Sequence, residues 1–170
     1  MSEIKTTIPP RPTWNNEMKK ELAKFTGEIL NKWCNNETDL EDCIEYAEKV
    51  LKWNSNEDGY TLAKEFDDEG FSPDSQLVEE LDSVSYETDK ILKKYINKWV
   101  QENNLQLVYK IDDKVLAKIA GKGGIECEVM RLYPETMQYG LWYESIGDAK
   151  GNRHSIVNSE NVLGYISSMA

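Results

Sequence analysis

Apolar residues in the first hundred positions recur at the spacing of an α-helix. Steps of four, three, four and four place one set on a single helical face. The members of this stripe are Met18, Leu22, Phe25, Ile29 and Trp33. Thr13 or Asn15 can supply the N-cap, because either side chain can accept a hydrogen bond from a free backbone N–H. The pattern therefore predicts a first amphipathic helix that ends before the asparagine pair at 35–36.

The same period predicts three further helices. Thr38 and Glu41 have the spacing of a capping box, which would open the second helix. A third helix is expected around 57–68, with Gly70 as its stop signal. The fourth and longest would span 74–102, and it could bend near 83–85, where helix propensity is weak. Helices of these lengths joined by short loops are typical of a bundle.

From Leu105 onward the period of the apolar residues changes from 3.6 to 2, which is typical of strands. The inward positions of the first two strands are predicted to be Val115, Ala117, Ile119, Ile125, Cys127 and Val129. Glycines at 121, 123 and 124 would form the tight connection between them. A hairpin is expected from 138–146 and 153–157, with its loop at 148–152. A short helical turn at 159–161 would precede a last strand at 163–167.

Part of this region resembles a known family. Asp113-Lys114-Val115, the glycine turn, the strand at 125–129 and Tyr139-Gly140-Leu141 are similar to the strand–turn–strand unit of SH3-like small barrels, particularly the KOW and Tudor-like members. Asp112 stands where that family usually has glycine, and Cys127 stands where a KOW motif often has one. The resemblance covers about the last third of the chain. It implies a binding module rather than a catalyst.

The predicted fold class is α+β. A flexible arm at 1–12 would lead into an acidic helical bundle of about four helices at 13–104. An SH3-like antiparallel β-barrel at 105–170 would follow. A small closed barrel is favoured over a two-sheet sandwich because few residues remain and because closure removes exposed strand edges.

Charge divides between the two parts. The net charge is −11, of which residues 1–105 carry −10 (13 Lys and Arg against 23 Asp and Glu) and residues 106–170 carry −1. An acidic surface repels nucleic acid and attracts basic proteins. The candidate acidic binding face contains Glu65, Asp67, Asp68, Glu79, Glu80 and Asp82. Ordinary solvation of helix surfaces is the competing explanation for these carboxylates.

Aromatic and apolar residues on the outer side of the barrel form a second candidate site. Its predicted members are Leu116, Met130, Trp142, Tyr143, Arg153 and His154. An outward tryptophan is typical of a surface that binds a peptide or a base. Alternatively, this patch packs on the long fourth helix. A further hypothesis is an aromatic cage for a methylated lysine. Its members would be Tyr133, Tyr139, Trp142 and Tyr143.

The sequence predicts no catalytic residues, no cofactor and no metal site. Three cysteines match no zinc spacing and there is a single histidine, His154. Glu126 and Glu128 share a strand face, but no third metal ligand accompanies them. No apolar run approaches the ~20 residues that span a bilayer. We therefore expect a cytoplasmic protein that is not bound to a membrane.

The function expected from these features is non-catalytic binding of a partner protein, as a small adaptor or inhibitor. Contact would be made through the outer aromatic surface or through the acidic helical face. Nucleic-acid binding through residues 105–170 is one alternative, using basic side chains on phosphates. A second alternative is mimicry of DNA by the acidic helices. A metal-dependent hydrolase that uses Glu126 and Glu128 is the least favoured hypothesis.

Overall fold

The computed structural model describes residues 9–51, 58–144 and 153–166, and within them helices precede strands. The helices are α1 Asn16–Trp33, α2 Leu40–Val50, α3 Gly59–Asp68, α4 Ser75–Leu81 and α5 Ser83–Glu102. The strands are β1 Lys114–Ile119, β2 Lys122–Tyr133, β3 Gln138–Tyr143, β4 Arg153–Asn158 and β5 Val162–Tyr165. The α+β prediction with N-terminal helices is therefore confirmed. Residues 1–8 of the expected arm and the hairpin loop at 148–152 lie outside the described residues.

Side-chain caps fix where the helices begin. The side-chain oxygen of Asn15 accepts hydrogen bonds from the backbone N–H groups of Glu17 and Met18, at 3.0 and 3.1 Å. Asp58 caps α3 through the N–H of Thr61, at 2.8 Å. Each cap satisfies a donor that has no partner within the helix.

Two details of the predicted helices are wrong. The N-cap of α2 is Asp39 and not Thr38, since the Asp39 carboxylate accepts from the N–H of Glu41 at 3.1 Å. The expected long fourth helix is divided into α4 and α5 at Asp82. There the Asp82 carboxylate accepts from the N–H of Gly59, at 2.6 Å. The break therefore coincides with a contact between α3 and the end of α4.

Close approach of helices builds the helical core. Gly27 of α1 lies against Ile44 of α2, where an added Cβ would be 2.6 Å from the Ile44 Cγ1. The glycine thus permits a short distance between the two helices. Among the fully buried side chains of this core are Met18, Leu22, Leu30, Leu62, Phe66, Leu77, Leu81 and Ile91. Each such Leu or Ile contributes about 1.5–3 kcal/mol on burial.

The strands form one antiparallel sheet in the order β4-β3-β2-β1-β5. The β1–β2 connection is a two-residue turn in which Ala120 and Gly121 both have positive φ, 48° and 77°. That is the geometry of a type I′ hairpin turn, whose twist matches that of the strands. The short helical turn Ser159–Asn161 precedes β5, as predicted, and β5 pairs with β1.

The chain divides into two compact units, residues 1–95 and 96–170, and the division falls inside α5. The sheet belongs to the second unit and has its own core on one face. That core contains Val115, Ala117, Ile119, Cys127, Val129, Tyr139, Leu141, Tyr143 and Val157. The division after residue 95 lies nine residues before the predicted boundary after residue 104.

Candidate functional site

The face of the sheet opposite its core carries a different set of side chains. Along β3, Tyr139, Leu141 and Tyr143 are buried, while Gly140 and Trp142 alternate with them. We call this opposite side the outer face. Strand pairing arranges its residues in rows across the sheet. The central row contains, from β4 to β1, His154, Trp142, Glu128 and Lys114.

A cleft of about 450 Å³ lies on the outer face beside Trp142. Three carboxylates and one amine line it, and we call it the acidic cleft. Its principal side chains are Trp142, Glu126, Glu128, Glu144, Lys114 and Ile166. Within the described ranges, none of the four charged groups has an ion-pair partner within 4.0 Å. Their charges therefore stay available to a ligand.

A second cleft of about 420 Å³ lies on the same face, and we call it the basic cleft. Its principal residues are Met130, Arg131, Tyr133, Gly140, His154 and Ile156. Gly140 forms part of its floor, since an added Cβ would be 3.0 Å from the Arg131 Cβ. Met130 and Ile156 leave 42% and 61% of their surface exposed, so the cleft presents apolar groups to solvent.

An irregularity in β2 creates this second cleft. The register shifts between Val129 and Arg131, so that Val129 lies opposite Leu141 and Arg131 lies opposite Gly140. Strict alternation would place Arg131 on the core side, two positions after the buried Val129. The extra residue, Met130, instead returns Arg131 to the outer face, as bulges do.

The structure brings together four of the six predicted members of the aromatic site. Trp142 and His154 are neighbours in the central row, Met130 lines the basic cleft, and Leu116 lies on the outer face opposite Glu126. The remaining two, Tyr143 and Arg153, occupy the opposite set of alternate positions and pair with each other.

The prediction for Tyr143 is wrong. Its side chain is 5% exposed and belongs to the core, and its hydroxyl is 3.2 Å from the Ser155 Oγ. Tyr139 is also buried in the core, at 1% exposure. The hypothesis of a four-membered aromatic cage is therefore wrong too, because Tyr139 and Tyr143 lie on the face opposite Trp142. Arg153 is exposed, but its position alternates with that of His154.

The predicted acidic face of the helices is partly used in internal contacts. The Asp82 carboxylate accepts a hydrogen bond from the Gly59 N–H, and Glu80 forms an ion pair with Lys32 at 3.6 Å. Those two carboxylates are thus engaged within the helical unit. The other members, Glu65, Asp67, Asp68 and Glu79, lie on α3 and α4. Asp67, Asp68 and Glu79 are exposed and Glu65 is half-buried.

Sequence patterns did not identify Arg131, Glu144 and Ile156 as members of the outer aromatic site, and Tyr133 was expected only in the aromatic cage. Glu144 has a signal, since it follows Trp142 by two positions and so shares its face. No sequence signal marks Arg131, because the direction of its side chain depends on the bulge at Met130. The sequence places Glu126 and Glu128 on one strand face, but there they were considered only as candidate metal ligands. No group of three potential metal ligands occurs among the described side chains.

Comparison with protein-family models, with curated proteins and with solved structures finds no match to this chain. In the described parts of the chain, no helix has both the length and the apolar character that crossing a bilayer requires.

Proposed function

We propose that this protein is a non-catalytic binding protein whose outer face contacts a partner protein. One observation carries the proposal: the acidic and basic clefts lie side by side on a single sheet face, joined by the cross-strand pair Trp142–His154. Exposed Met130 and Ile156 line the basic cleft. Aromatic, methionine and arginine side chains are the groups that protein interfaces favour.

The charges of the outer face support a protein partner over nucleic acid. Glu126, Glu128 and Glu144 line the acidic cleft, and carboxylates repel a phosphate backbone. Arg131 is the one Lys or Arg that lines the basic cleft within the described residues. A nucleic-acid surface needs several such cations along the path of the backbone.

We also propose that the sheet closes into an SH3-like barrel. The strand order and the short helical turn before β5 support this. So does a cavity of about 300 Å³ that is lined both by Ile119 of β1 and by Val157 of β4, although two strands, β2 and β3, lie between β1 and β4 in the sheet order. Contact between non-neighbouring strands is expected when a sheet curls on itself.

The cysteines support a reducing compartment, and we propose the cytoplasm. Cys34, Cys43 and Cys127 are all free thiols, and two of them are buried. Free, buried cysteines are typical of proteins that fold where disulfides do not persist.

Affinity capture with matched variants tests the proposed function. The full chain is immobilised and exposed to a nuclease-treated lysate of the cells that naturally express it. Trp142→Ala and Ile156→Asp alter the outer face, and Tyr86→Ala removes a side chain that is 78% exposed on α5. Thermal unfolding confirms that each variant is folded.

We expect a partner protein that is retained by the wild-type chain and by Tyr86→Ala, and lost from both variants of the outer face. Retention that is equal in all four proteins would contradict the proposal. Material that is captured only without nuclease treatment would instead indicate nucleic-acid binding.

A further inference from the structure

The two clefts of the outer face present charges of opposite sign. The acidic cleft presents the carboxylates of Glu126, Glu128 and Glu144 with a single amine, that of Lys114. The basic cleft presents the guanidinium of Arg131, and its described lining includes no carboxylate. A partner with one uniform charge would be attracted at one cleft and repelled at the other. Charge complementarity therefore requires both signs in the partner.

The acidic cleft suits a lysine or arginine side chain. Glu126 and Glu128 are neighbouring outer-face residues of β2, and Glu128 lies directly opposite Trp142 in the strand register. A cation placed there meets carboxylates on β2 and the indole of Trp142 on β3. An indole face attracts a cation through its quadrupole, in addition to the carboxylate charges.

The basic cleft suits a carboxylate. Arg131 lies opposite Gly140, and the absent side chain at 140 leaves the Arg131 position open to the cleft. A guanidinium binds a carboxylate through two parallel hydrogen bonds. The ring of Tyr133 and the exposed side chain of Ile156 supply apolar contact for the neighbouring parts of a segment.

The strand register fixes the separation of the two binding points. Glu128 lies opposite Trp142, and Arg131 lies opposite Gly140, two residues away from Trp142 along β3. Two residues of an antiparallel strand cover about 7 Å, since each adds about 3.4 Å. The clefts can therefore be occupied together by one short segment.

We infer that the partner presents a segment whose cationic and carboxylate groups bind at points about 7 Å apart, the cation in the acidic cleft and the carboxylate in the basic cleft. The inference rests on the proposed function and adds the chemistry of the partner.

Selection from a displayed library of random twelve-residue peptides, with the immobilised full chain as target, tests this inference. Enriched peptides are expected to contain both a Lys or Arg and an Asp or Glu. One enriched peptide is then synthesised with a fluorescent label, and its affinity is measured by anisotropy. We expect a loss of about 10-fold or more with Glu126→Gln/Glu128→Gln, and a similar loss with Arg131→Gln.

Two controls make the result specific. Glu48→Gln/Asp89→Asn removes two exposed carboxylates of α2 and α5 that belong to neither candidate site, and it should leave the peptide affinity unchanged. Arg131→Glu should weaken the original peptide and favour a peptide whose carboxylate residue is replaced by lysine. This exchange of preference is not expected from a change in fold.

The outcomes separate the two proposals. Peptide binding that requires Trp142 but is unaffected by Glu126→Gln/Glu128→Gln would overturn the charge inference and leave the proposed function standing. Enriched peptides that lack one of the two charges would do the same. Binding that persists in Trp142→Ala, or a library from which nothing is enriched, would count against both.

Discussion

The hydroxyl oxygen of Tyr139 accepts a hydrogen bond from the backbone N–H of Val108, with the two atoms 2.9 Å apart. It accepts a second hydrogen bond from the backbone N–H of Tyr109, at 3.1 Å. The ring centroids of Tyr109 and Tyr139 are 5.7 Å apart. Tyr139 is 1% exposed while Val108 is 71% exposed, so these bonds are partly shielded from water. A single buried side chain therefore holds the segment before β1 against the core and leaves the outer face uncovered by it.

Tyr139→Phe should destabilise the protein by about 1 kcal/mol, because two partly buried backbone donors lose their acceptor. Tyr143→Phe is the matched control, since its hydroxyl shares one hydrogen bond with the Ser155 side chain. Urea denaturation should give a smaller free energy of unfolding for Tyr139→Phe than for Tyr143→Phe. Equal values for the two variants would contradict the role of the Tyr139 hydroxyl.

Gly59→Ala should destabilise the helical unit by about 2–3 kcal/mol through overpacking. An added Cβ would lie 2.1 Å from the Val78 carbonyl oxygen and 2.7 Å from the Asp82 backbone nitrogen, and neither backbone atom can move freely. Gly123→Ala is the control, because its nearest neighbour is the Lys118 Cγ at 3.7 Å. Thermal unfolding should show a lower melting temperature for Gly59→Ala alone.

Because of Asp74, the stability of the protein should depend on pH in the acidic range. Its carboxylate accepts hydrogen bonds from the Leu77 N–H, at 2.9 Å, and from the indole N–H of Trp33, at 3.1 Å. These bonds, chiefly the one from Leu77, hold the pKa of Asp74 below its ordinary value of 3.8. A lowered pKa stabilises the folded state above the ordinary pKa, and this stabilisation is lost as the pH falls through the folded value.

The comparison of Asp74→Asn with the wild type isolates this effect, because asparagine also caps helices but carries no charge. The difference in melting temperature between the two proteins should shrink as the pH is lowered from 6 to about 3. Asp74→Ala should also lose the cap and melt about 3 °C below wild type at neutral pH. A difference between wild type and Asp74→Asn that is constant with pH would contradict the assignment.

Cys127 should react slowly with thiol reagents in the folded protein. Burial raises the pKa of this thiol from an ordinary 9.0 to about 11, and its side chain is 4% exposed. At pH 8 the thiolate fraction is therefore about 100-fold smaller than for an ordinary cysteine. Labelling followed by peptide mass spectrometry should find half-buried Cys34 modified first, and all three cysteines modified in guanidinium. Early modification of Cys127 would show that its strand opens readily.

Local patterns predicted the helices well where a cap and an apolar stripe agree. The helix capped by Asn15 and the stop at Gly70, whose φ is +97°, are confirmed. The predicted cap of α2 was one residue too early, because Thr38 and Asp39 are both good caps and the sequence does not rank them. The division of α4 from α5 at Asp82 lies next to the bend expected near 83–85, and it coincides with the hydrogen bond from the Gly59 N–H to the Asp82 carboxylate, which connects distant positions.

The candidate site was predictable only in part. Period-two alternation correctly places Trp142 on the outer face, and the same rule places Tyr143 in the core. Tyr143 was included because it is aromatic, although its position next to Trp142 on β3 places it on the core side. The basic cleft could not be predicted, because the bulge at Met130 reverses the side on which Arg131 lies. Bulges depend on pairing with a neighbouring strand rather than on local sequence.

Site-specific photo-crosslinking tests the central claim most directly. A benzoylphenylalanine replaces Ile156 on the outer face in one protein and exposed Glu79 on α4 in another, and each is irradiated in a lysate of the natural cells. The account predicts a crosslinked partner protein from position 156, lost when Trp142→Ala is added, and none from position 79. A protein crosslink from position 79 alone, or none from position 156, would contradict it.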